Sequence, residues 1–435
     1  MNYPLFTVII PQKDRAEFLE HTLRTCVMQD YPNFEIIVAD DCSDDNSVEV
    51  VKQFMEADKR VKLLSHDTHV GMRKNFENAL SQVRPGYVMA LGGDDGLLPG
   101  CIWKMYNIIK STGAKLLTWP VPGFQYTNTT SQISILSIPR KKFDGVKMLK
   151  SKDFLNKISK SFRYLVDDCP MFYIKGVAST EIVDRVKSRT PDHCFYYCPT
   201  PDGFSGVVLA GEVEEYAYTN EPLSINGGSH KSQGLNYQRT DKQSRKESEQ
   251  FFKDSVRITM HKELASQPYS PLVPLMTADY LLTAKDLPGW PGEFDMISFD
   301  KLLEICFDYM AKIGYDNQLL VRELEIIRAI AKQHGLEERF DYLLKSKKRK
   351  VFDKSVIDGF FVTSNVVEFD ANKINIHNIY DAAIAVPVLY NLCNRFGLKE
   401  VHKWIIRSIK VLYKSRFGLK KGDFPEISSV TNDSK

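Results

Sequence analysis

The sequence predicts an α/β protein whose first half is a doubly wound, mainly parallel sheet and whose second half is mostly helical. Two observations carry this. In the first 115 residues, short and continuously apolar β-rich runs alternate with stretches of 3.6-residue periodicity, the pattern of βαβ units whose sheet is covered on both faces. The residues directly after three of those runs are polar and rich in acid, and sheets of this kind bind ligands outside the carboxyl ends of their strands.

In chain order, "FTVIIP" is a first strand, Ala16 to Gln29 a helix, "FEIIVADD" a second strand, and Ser47 to Ala57 a second helix. "VKLLS", Met72 to Val83 and "YVMALGG" complete the regular part. Asp44 and Asp45 sit where a helix starting near Ser47 needs an N-cap. The middle third is less regular. "AKLLTW", "DCPMFYIKG" and "EVEEYAYTNEPLSI" read as further strands of mixed direction, and "NGGSHKSQG" as a flexible polar loop. From about residue 245 the periodicity is helical: "KESEQFFKDSVRITMHKEL", "FDKLLEICFDYMAKIG", "QLLVRELEIIRAIAKQHG" and "YDAAIAVPVLYNLCNRFG", with "KDLPGWPGEF" as a Pro/Gly break. The expected organisation is an α/β domain over 1–240, a helical domain of unknown role over 245–421, and a disordered tail over 422–435.

Composition narrows the class. The 435 residues suffice for two or three domains, and 43% hydrophobic content supports a real core. A net charge of +3 argues against a nucleic-acid partner held by bulk electrostatics. The N-terminal apolar run is short, is broken by Pro11 and lacks a basic flank, so it reads as a strand and not a signal peptide. No stretch approaches the roughly 20 apolar residues of a membrane span. The eight cysteines are scattered, as reduced core thiols are, which makes a cytoplasmic location the expectation. "HCFYYC" has no second ligand pair at zinc-like spacing. Near the C-terminus, Leu398, Val401, Trp404, Ile405, Ile409 and Leu412 fall at helical spacing among Lys and Arg, and "KSKKRK" adds a basic patch. Such a helix either packs on its own domain or rests peripherally on the inner face of an anionic membrane.

The adjacent carboxylates of "LGGDDGLLPG" raise the chemical question. Asp94 and Asp95 repel each other unless a cation is offered, and a nucleoside diphosphate lying at this sheet edge would repel them too. A divalent ion, Mn²⁺ or Mg²⁺, would reconcile the two and stabilise a departing diphosphate. Gly92 and Gly93 would let the substrate approach.

The stretch "VIIPQKDRAEFLEHTLRTCVMQDYPNFEIIVADDCSDDNS", with "HVGMRKNFENAL", "LGGDDGLLPG" and, less closely, "EPLSINGGSHKSQG", resembles glycosyltransferase family 2 over about residues 5–234. These are inverting nucleotide-sugar transferases of the GT-A fold. The resemblance implies that Pro11 lies under the nucleotide and that Asp40 or Asp41 contacts base or ribose. Gly71 and Arg73 approach the donor, with Arg73 or Lys74 near phosphate. Asp94 matches the final acid of the metal motif. The motif's first acid is replaced by Gly92, which leaves Asp94 to hold an ion alone, Asp95 to assist, or metal dependence to be weak. His230 would ligate metal or contact phosphate, and Lys231 would neutralise charge, on a glycine-bearing lid.

A base must also take the proton of the acceptor hydroxyl; the resemblance places it at Asp202 in "CPTPDGFSGVVLAG", with Asp192 as competitor. Tyr196 and Tyr197 would either flank the acceptor sugar or pack in the core. The partners implied are a nucleotide-sugar donor and a glycan or lipid-linked acceptor, in synthesis of a surface polysaccharide or glycoconjugate. Two alternatives stand beside this reading. A nucleotidyltransferase would need a glycine-rich basic segment after the first strand, and "PQKDRAEF" has no glycine. A catalytically inactive transferase-like scaffold is the other.

Overall fold

The computed structural model describes residues 3–127, 133–141, 144–198, 200–232, 257–312, 317–351, 361–362, 366–395 and 420–422. The chain begins β1 (Phe6–Gln12), α1 (Ala16–Val27), β2 (Phe34–Asp40), α2 (Ser47–Ala57), β3 (Val61–Ser65), α3 (Met72–Ser81) and β4 (Tyr87–Ala90), each within a few residues of its sequence expectation. It continues through β5 (Gly96–Leu97), α4 (Cys101–Thr112), β6 (Leu116–Thr118), β7 (Gly123–Gln125), β8 (Ile135–Pro139), β9 (Val146–Lys150), α5 (Ser151–Ser161), β10 (Gly176–Ser179), α6 (Thr180–Arg189), α7 (Pro201–Gly211), β11 (Glu215–Thr219) and β12 (Ser224–Gly228). The remaining elements are α8 (Val273–Asp286), α9 (Phe299–Met310), α10 (Asn317–Gln333), α11 (Glu337–Ser346), β13 (Arg349–Val351), β14 (Phe361–Val362), β15 (Val366–Asp370), α12 (Ile379–Arg395) and β16 (Lys420–Gly422).

The main sheet runs β3-β2-β1-β4-β10-β6-β11-β9. Its first four strands are parallel, and β10 is antiparallel to both β4 and β6. Every residue of β1 and β2 is buried, which is why both read as unbroken apolar runs. Their side chains alternate between two cores. Ile9, Ile37 and Ala39 join one with α3, α5, α6 and α7; Val8, Ile10, Ile36 and Val38 join the other with α1, α2 and α4.

A second sheet, β14-β15-β8-β7-β12-β5, lies beside the first. Trp119, fully buried after β6, donates its indole N–H to Ser224 Oγ in β12 (2.7 Å), and that hydroxyl donates onward to the Ile174 carbonyl. A side-chain chain thus ties the two sheets together.

The helical region shares this core. Leu281, Leu302, Phe307, Leu324 and Phe340 belong to the same cluster as Phe204 and Val208 of α7, β15 pairs with β8, and α12 packs on the second sheet and on Phe18 of α1. The expected boundary at 240–245 and most of the tail lie outside the described residues. So does the basic amphipathic stretch, apart from the backbone of β16. Among the described residues, no helix is long and apolar enough to cross a membrane.

Two expectations are corrected, and one helix is added. "DCPMFYIKG" is strand only at its last residue, Gly176, where β10 begins: before it there is a single bridge, between Tyr173 and Ala90, and Ile174 turns the chain at φ 59. Residues 257–264 of the expected first helix of the second half form only a short 3₁₀ turn at Lys262–Leu264; the part before 257 is outside the described residues. In its place comes α8, whose buried residues fall on every side, so that no polar stripe marks it as helix in the sequence.

Ser224→Ala leaves the Trp119 N–H buried without an acceptor. It should cost about 1–3 kcal/mol in denaturant unfolding followed by tryptophan fluorescence, with unchanged secondary structure.

Candidate functional site

Parallel strands place the carboxyl ends of β2, β1 and β4 side by side, with β1 in the centre. Gln12, the last residue of β1, is the hub. Its side-chain amide donates to Asp40, its carbonyl accepts from the Asp41 N–H (3.0 Å), and its Cβ lies beside Gly93. The acids after β2 and those after β4 therefore share one rim.

The loops after β1 and β2 lock onto each other. Asp14 and Cys42 both hold positive φ (51° and 56°), a conformation kept only where surroundings enforce it. Asp14 N–H donates to Ser43 Oγ (2.9 Å), Asp44 N–H donates to Asp14 (2.7 Å), and Lys13 Nζ donates to the Cys42 carbonyl (2.5 Å). Asp45 accepts from Ala16 N–H (3.0 Å) and Ser47 N–H (2.9 Å), so it fastens the first turns of α1 and α2 together. Its carboxyl lies below its ordinary value although burial opposes this, because those hydrogen bonds and that of Ser47 Oγ favour the charged form. Asp40 is buried and spent on Gln12 and Ser43. Asp41 accepts from the backbone N–H groups of Val70 (2.6 Å) and Gly71 (3.0 Å), and His69 Nδ1 lies 2.9 Å from it. It thereby positions the start of α3, where Gly71 at φ 86 takes a conformation other residues avoid. Pro11 lies inside β1 opposite Ala39 and is buried.

Asp94 and Asp95 have opposite surroundings. Asp95 is fully buried and turned inward, accepting from Gly92 N–H (2.7 Å), Gly227 N–H (2.8 Å) and the Tyr173 hydroxyl. Burial first, then the charge of Asp94, raises its carboxyl above the ordinary range. Its work is to bind the β4 turn to β12. Asp94 faces the rim, with Arg15 Nη1 at 3.0 Å from one oxygen and the hydroxyls of Ser229 (2.6 Å) and Ser232 (2.8 Å) on the other. The cation that two adjacent acids call for comes from 79 positions earlier in the chain. Gly93 makes room for it, since a Cβ there would lie 2.9 Å from Arg15 Cδ.

Gly227 and Gly228 of "NGGSHKSQG" close β12 and do not hinge a loop; Gly234 lies outside the described residues. A Cβ at Gly227 would fall 1.7 Å from the Asp94 carbonyl oxygen, and one at Gly228 2.4 Å from Gln125 Oε1. His230 is exposed, with its ring edge-on to Phe18 at 5.5 Å. Lys231 meets the rim through its carbonyl, which accepts from Arg15 Nη2 (2.8 Å). Arg73 lies within electrostatic reach of Glu77 and Cys194, towards the 194–198 segment, and Lys74 is exposed.

Tyr173 joins this rim to the next acid. Its buried phenol is pushed well above its ordinary value by burial and then by Asp95, Asp94 and Asp202. Asp202 stands in the first turn of α7, partly buried, with its carboxyl raised to about 6 by burial. Ser205 holds that turn, accepting from Phe172 N–H (3.0 Å) and donating to the Asp202 carbonyl (2.6 Å). Asp192 is exposed on a turn. Tyr196 is buried against Phe76 and Phe172, which is the packing alternative, and Tyr197 lies under Arg257 at 5.7 Å.

A divalent ion does not fit the rim as built. Asp94, Asp95 and His230 are not brought together as ligands: Asp95 points into the core, His230 packs at Phe18, and both Asp94 oxygens already have partners, one of them a guanidinium. No cluster of three metal-ligating side chains occurs among the described residues. An acid cannot replace Gly92 without moving its surroundings, because a Cβ there would lie 2.5 Å from the Tyr173 hydroxyl and 2.9 Å from Asp95.

Residues 7–171 match the model of glycosyl transferase family 2. The chain carries a glycosyl transferase family 2 domain. Within that domain lie β1 through α5 and both acids of the β4 turn. The domain is similar to an uncharacterised glycosyltransferase of Haemophilus influenzae, 31% identical over 109 residues, which are 25% of this chain and 44% of that one. It is also similar to the GalNAc(5)-diNAcBac-PP-undecaprenol beta-1,3-glucosyltransferase of Campylobacter jejuni, 35% identical over 100 residues, 23% of this chain and 32% of that one. The chain thus spans less than half the length of these relatives. Among solved structures, S. aureus TarS 1–349 in complex with UDP-GlcNAc aligns at a TM-score of 0.44 and 13% identity, over 81% of this chain and 95% of that one.

Gly227→Ala should destabilise the protein by about 1–3 kcal/mol or more through overpacking. Gly123→Ala in adjacent β7, whose nearest neighbour would be 3.9 Å away, should stay within about 0.5 kcal/mol. Urea unfolding of the pair measures both.

Proposed function

We propose that this chain is an inverting glycosyltransferase that moves a sugar from a nucleoside-diphosphate sugar to a hydroxyl of a glycan or lipid-linked acceptor. The observation that supports it most is the common rim. Asp41 and Asp94 flank the end of β1, and Asp202 reaches the same neighbourhood through Tyr173. Synthesis of a surface polysaccharide or glycoconjugate is the favoured setting, supported by the names of relatives such as the C. jejuni glucosyltransferase and the Bacillus subtilis putative teichuronic acid biosynthesis glycosyltransferase TuaG.

In this reading the nucleoside lies over the β1–β2 end, where Asp41 fixes the Val70–Gly71 backbone beside it. The diphosphate lies towards Arg15 and the β4 turn. Asp202 removes the acceptor proton as the hydroxyl attacks the anomeric carbon from the face opposite the diphosphate, through a transition state of oxocarbenium character like that of glycoside cleavage. A carboxyl raised to about 6 by burial is a better proton acceptor than an ordinary aspartate and is still ionised at neutral pH.

This fixes the sign of the pH dependence. Below about 6 the carboxyl is protonated and cannot accept, so kcat/KM should fall about tenfold per pH unit on that side. Release of nucleoside diphosphate from a panel of nucleotide sugars supplies the assay. Asp202→Asn should lower kcat by about 10²–10⁴-fold with donor KM little changed, and Asp192→Asn should not. Equal activity of wild type and Asp202→Asn would remove Asp202 from this role. Failure to bind any nucleotide sugar would favour the inactive scaffold.

A further inference from the structure

We propose that Arg15, and not a divalent ion, supplies the positive charge that holds the donor diphosphate, so that this chain binds nucleoside diphosphates without metal. The proposal rests on the donor-binding reading above and deepens it.

Four observations carry it. First, one Asp94 oxygen accepts from the hydroxyls of Ser229 and Ser232 and the other has the Arg15 guanidinium at 3.0 Å; a divalent ion there would have to displace the hydroxyls or sit beside a guanidinium of like charge. Second, Asp95 is committed to Gly92 N–H, Gly227 N–H and Tyr173 and cannot turn outward without breaking the β4–β12 connection. Third, position 92, where the family motif has its first acid, is closed by Tyr173 and Asp95. Fourth, Arg15 has unused capacity. Nη1 sits at 3.0 Å from Asp94, yet its N–H groups are not aligned with the carboxylate, and that buried nitrogen has no hydrogen-bond acceptor among the described residues. The side chain retains 15% exposure.

A buried donor without an acceptor is costly, and a small rotation of the partly exposed guanidinium would turn it to an anionic oxygen at the rim. Guanidinium groups bind phosphate oxygens in two-pronged fashion. Arg15 is also the residue from which α1 starts, and its carbonyl accepts the N–H groups of Phe18 and Leu19. The charge is therefore fixed to the backbone at the end of the central strand, and Asp94 behind it prevents the guanidinium from swinging away. Asp94 is here a positioning residue for Arg15 and not a metal ligand.

Calorimetric titration of the full chain with UDP and GDP, each in EDTA and in excess Mn²⁺, tests this. At least one of them should bind in EDTA, with a Kd that Mn²⁺ changes by less than about threefold. Arg15→Gln should weaken that binding about tenfold or more, and Arg15→Lys should restore part of the loss. Asp94→Asn gives the sharpest contrast: asparagine keeps an oxygen beside Arg15, so diphosphate binding in EDTA should stay within about threefold of wild type, whereas a metal site would lose its Mn²⁺-dependent binding. Thermal unfolding checks that each variant is folded, and Arg15→Lys preserves the test should Arg15→Gln fail to fold. Binding seen only with Mn²⁺ and lost in Asp94→Asn overturns the inference and leaves the transferase reading standing. Absence of binding to UDP and to other nucleoside diphosphates under both conditions overturns both.

Discussion

A carboxylate at 3% exposure on the rim of a sheet must be compensated, and in this protein the compensation is covalently part of the chain. The ion pair between Arg15 and Asp94, backed by two serine hydroxyls, joins three segments distant in sequence: the start of α1, the turn after β4, and the residues after β12. Breaking either half would leave a buried charge alone, which costs several kcal/mol where replacing both partners need not. Much of the local architecture serves this contact. Gly93 clears the path of the arginine, Gly227 lets β12 come against the Asp94 backbone, and Asp95 pins the turn from beneath.

The sheet supplies the geometry and the loops supply the chemistry. With β1 central, any group at its carboxyl end can touch both the loop after β2 and the turn after β4, and Gln12 does both. The antiparallel β10 and the segment before it then bring α7 against the end of β4, through Tyr173 and the Phe172–Ser205 hydrogen bond. An acid in the first turn of α7 is in this way carried to the same neighbourhood, and its low hydration raises its carboxyl to about 6. The helical second half contributes by packing. Tyr280 of α8 and Trp290 crowd Gly203 and Gly211 of α7, so the helix bearing Asp202 is braced from the second half of the chain.

The regular elements of the first 115 residues were legible because strands buried on both faces and amphipathic helices leave opposite signatures. The carboxylates were legible as a group, since they come directly after strands in a doubly wound sheet. Individual roles were less so. Two adjacent acids look alike in sequence, but one is a structural anchor and the other faces the rim, a distinction set by Tyr173 and Gly227, both far along the chain. Arg15 was hidden in the same way: its place after the first strand was a signal, yet nothing local shows that it reaches Asp94. The paired glycines at 227 and 228 suggested mobility where the packing demands the absence of a Cβ. α8, buried all round, had no periodicity to find.

The most direct measurement is a double-mutant cycle of Arg15→Gln and Asp94→Asn followed by urea unfolding. The structure predicts a coupling free energy of about 1–3 kcal/mol, with the double variant less destabilised than the sum of the singles. Additivity within about 0.3–0.5 kcal/mol would mean that the two side chains do not meet, and would contradict the account at its base.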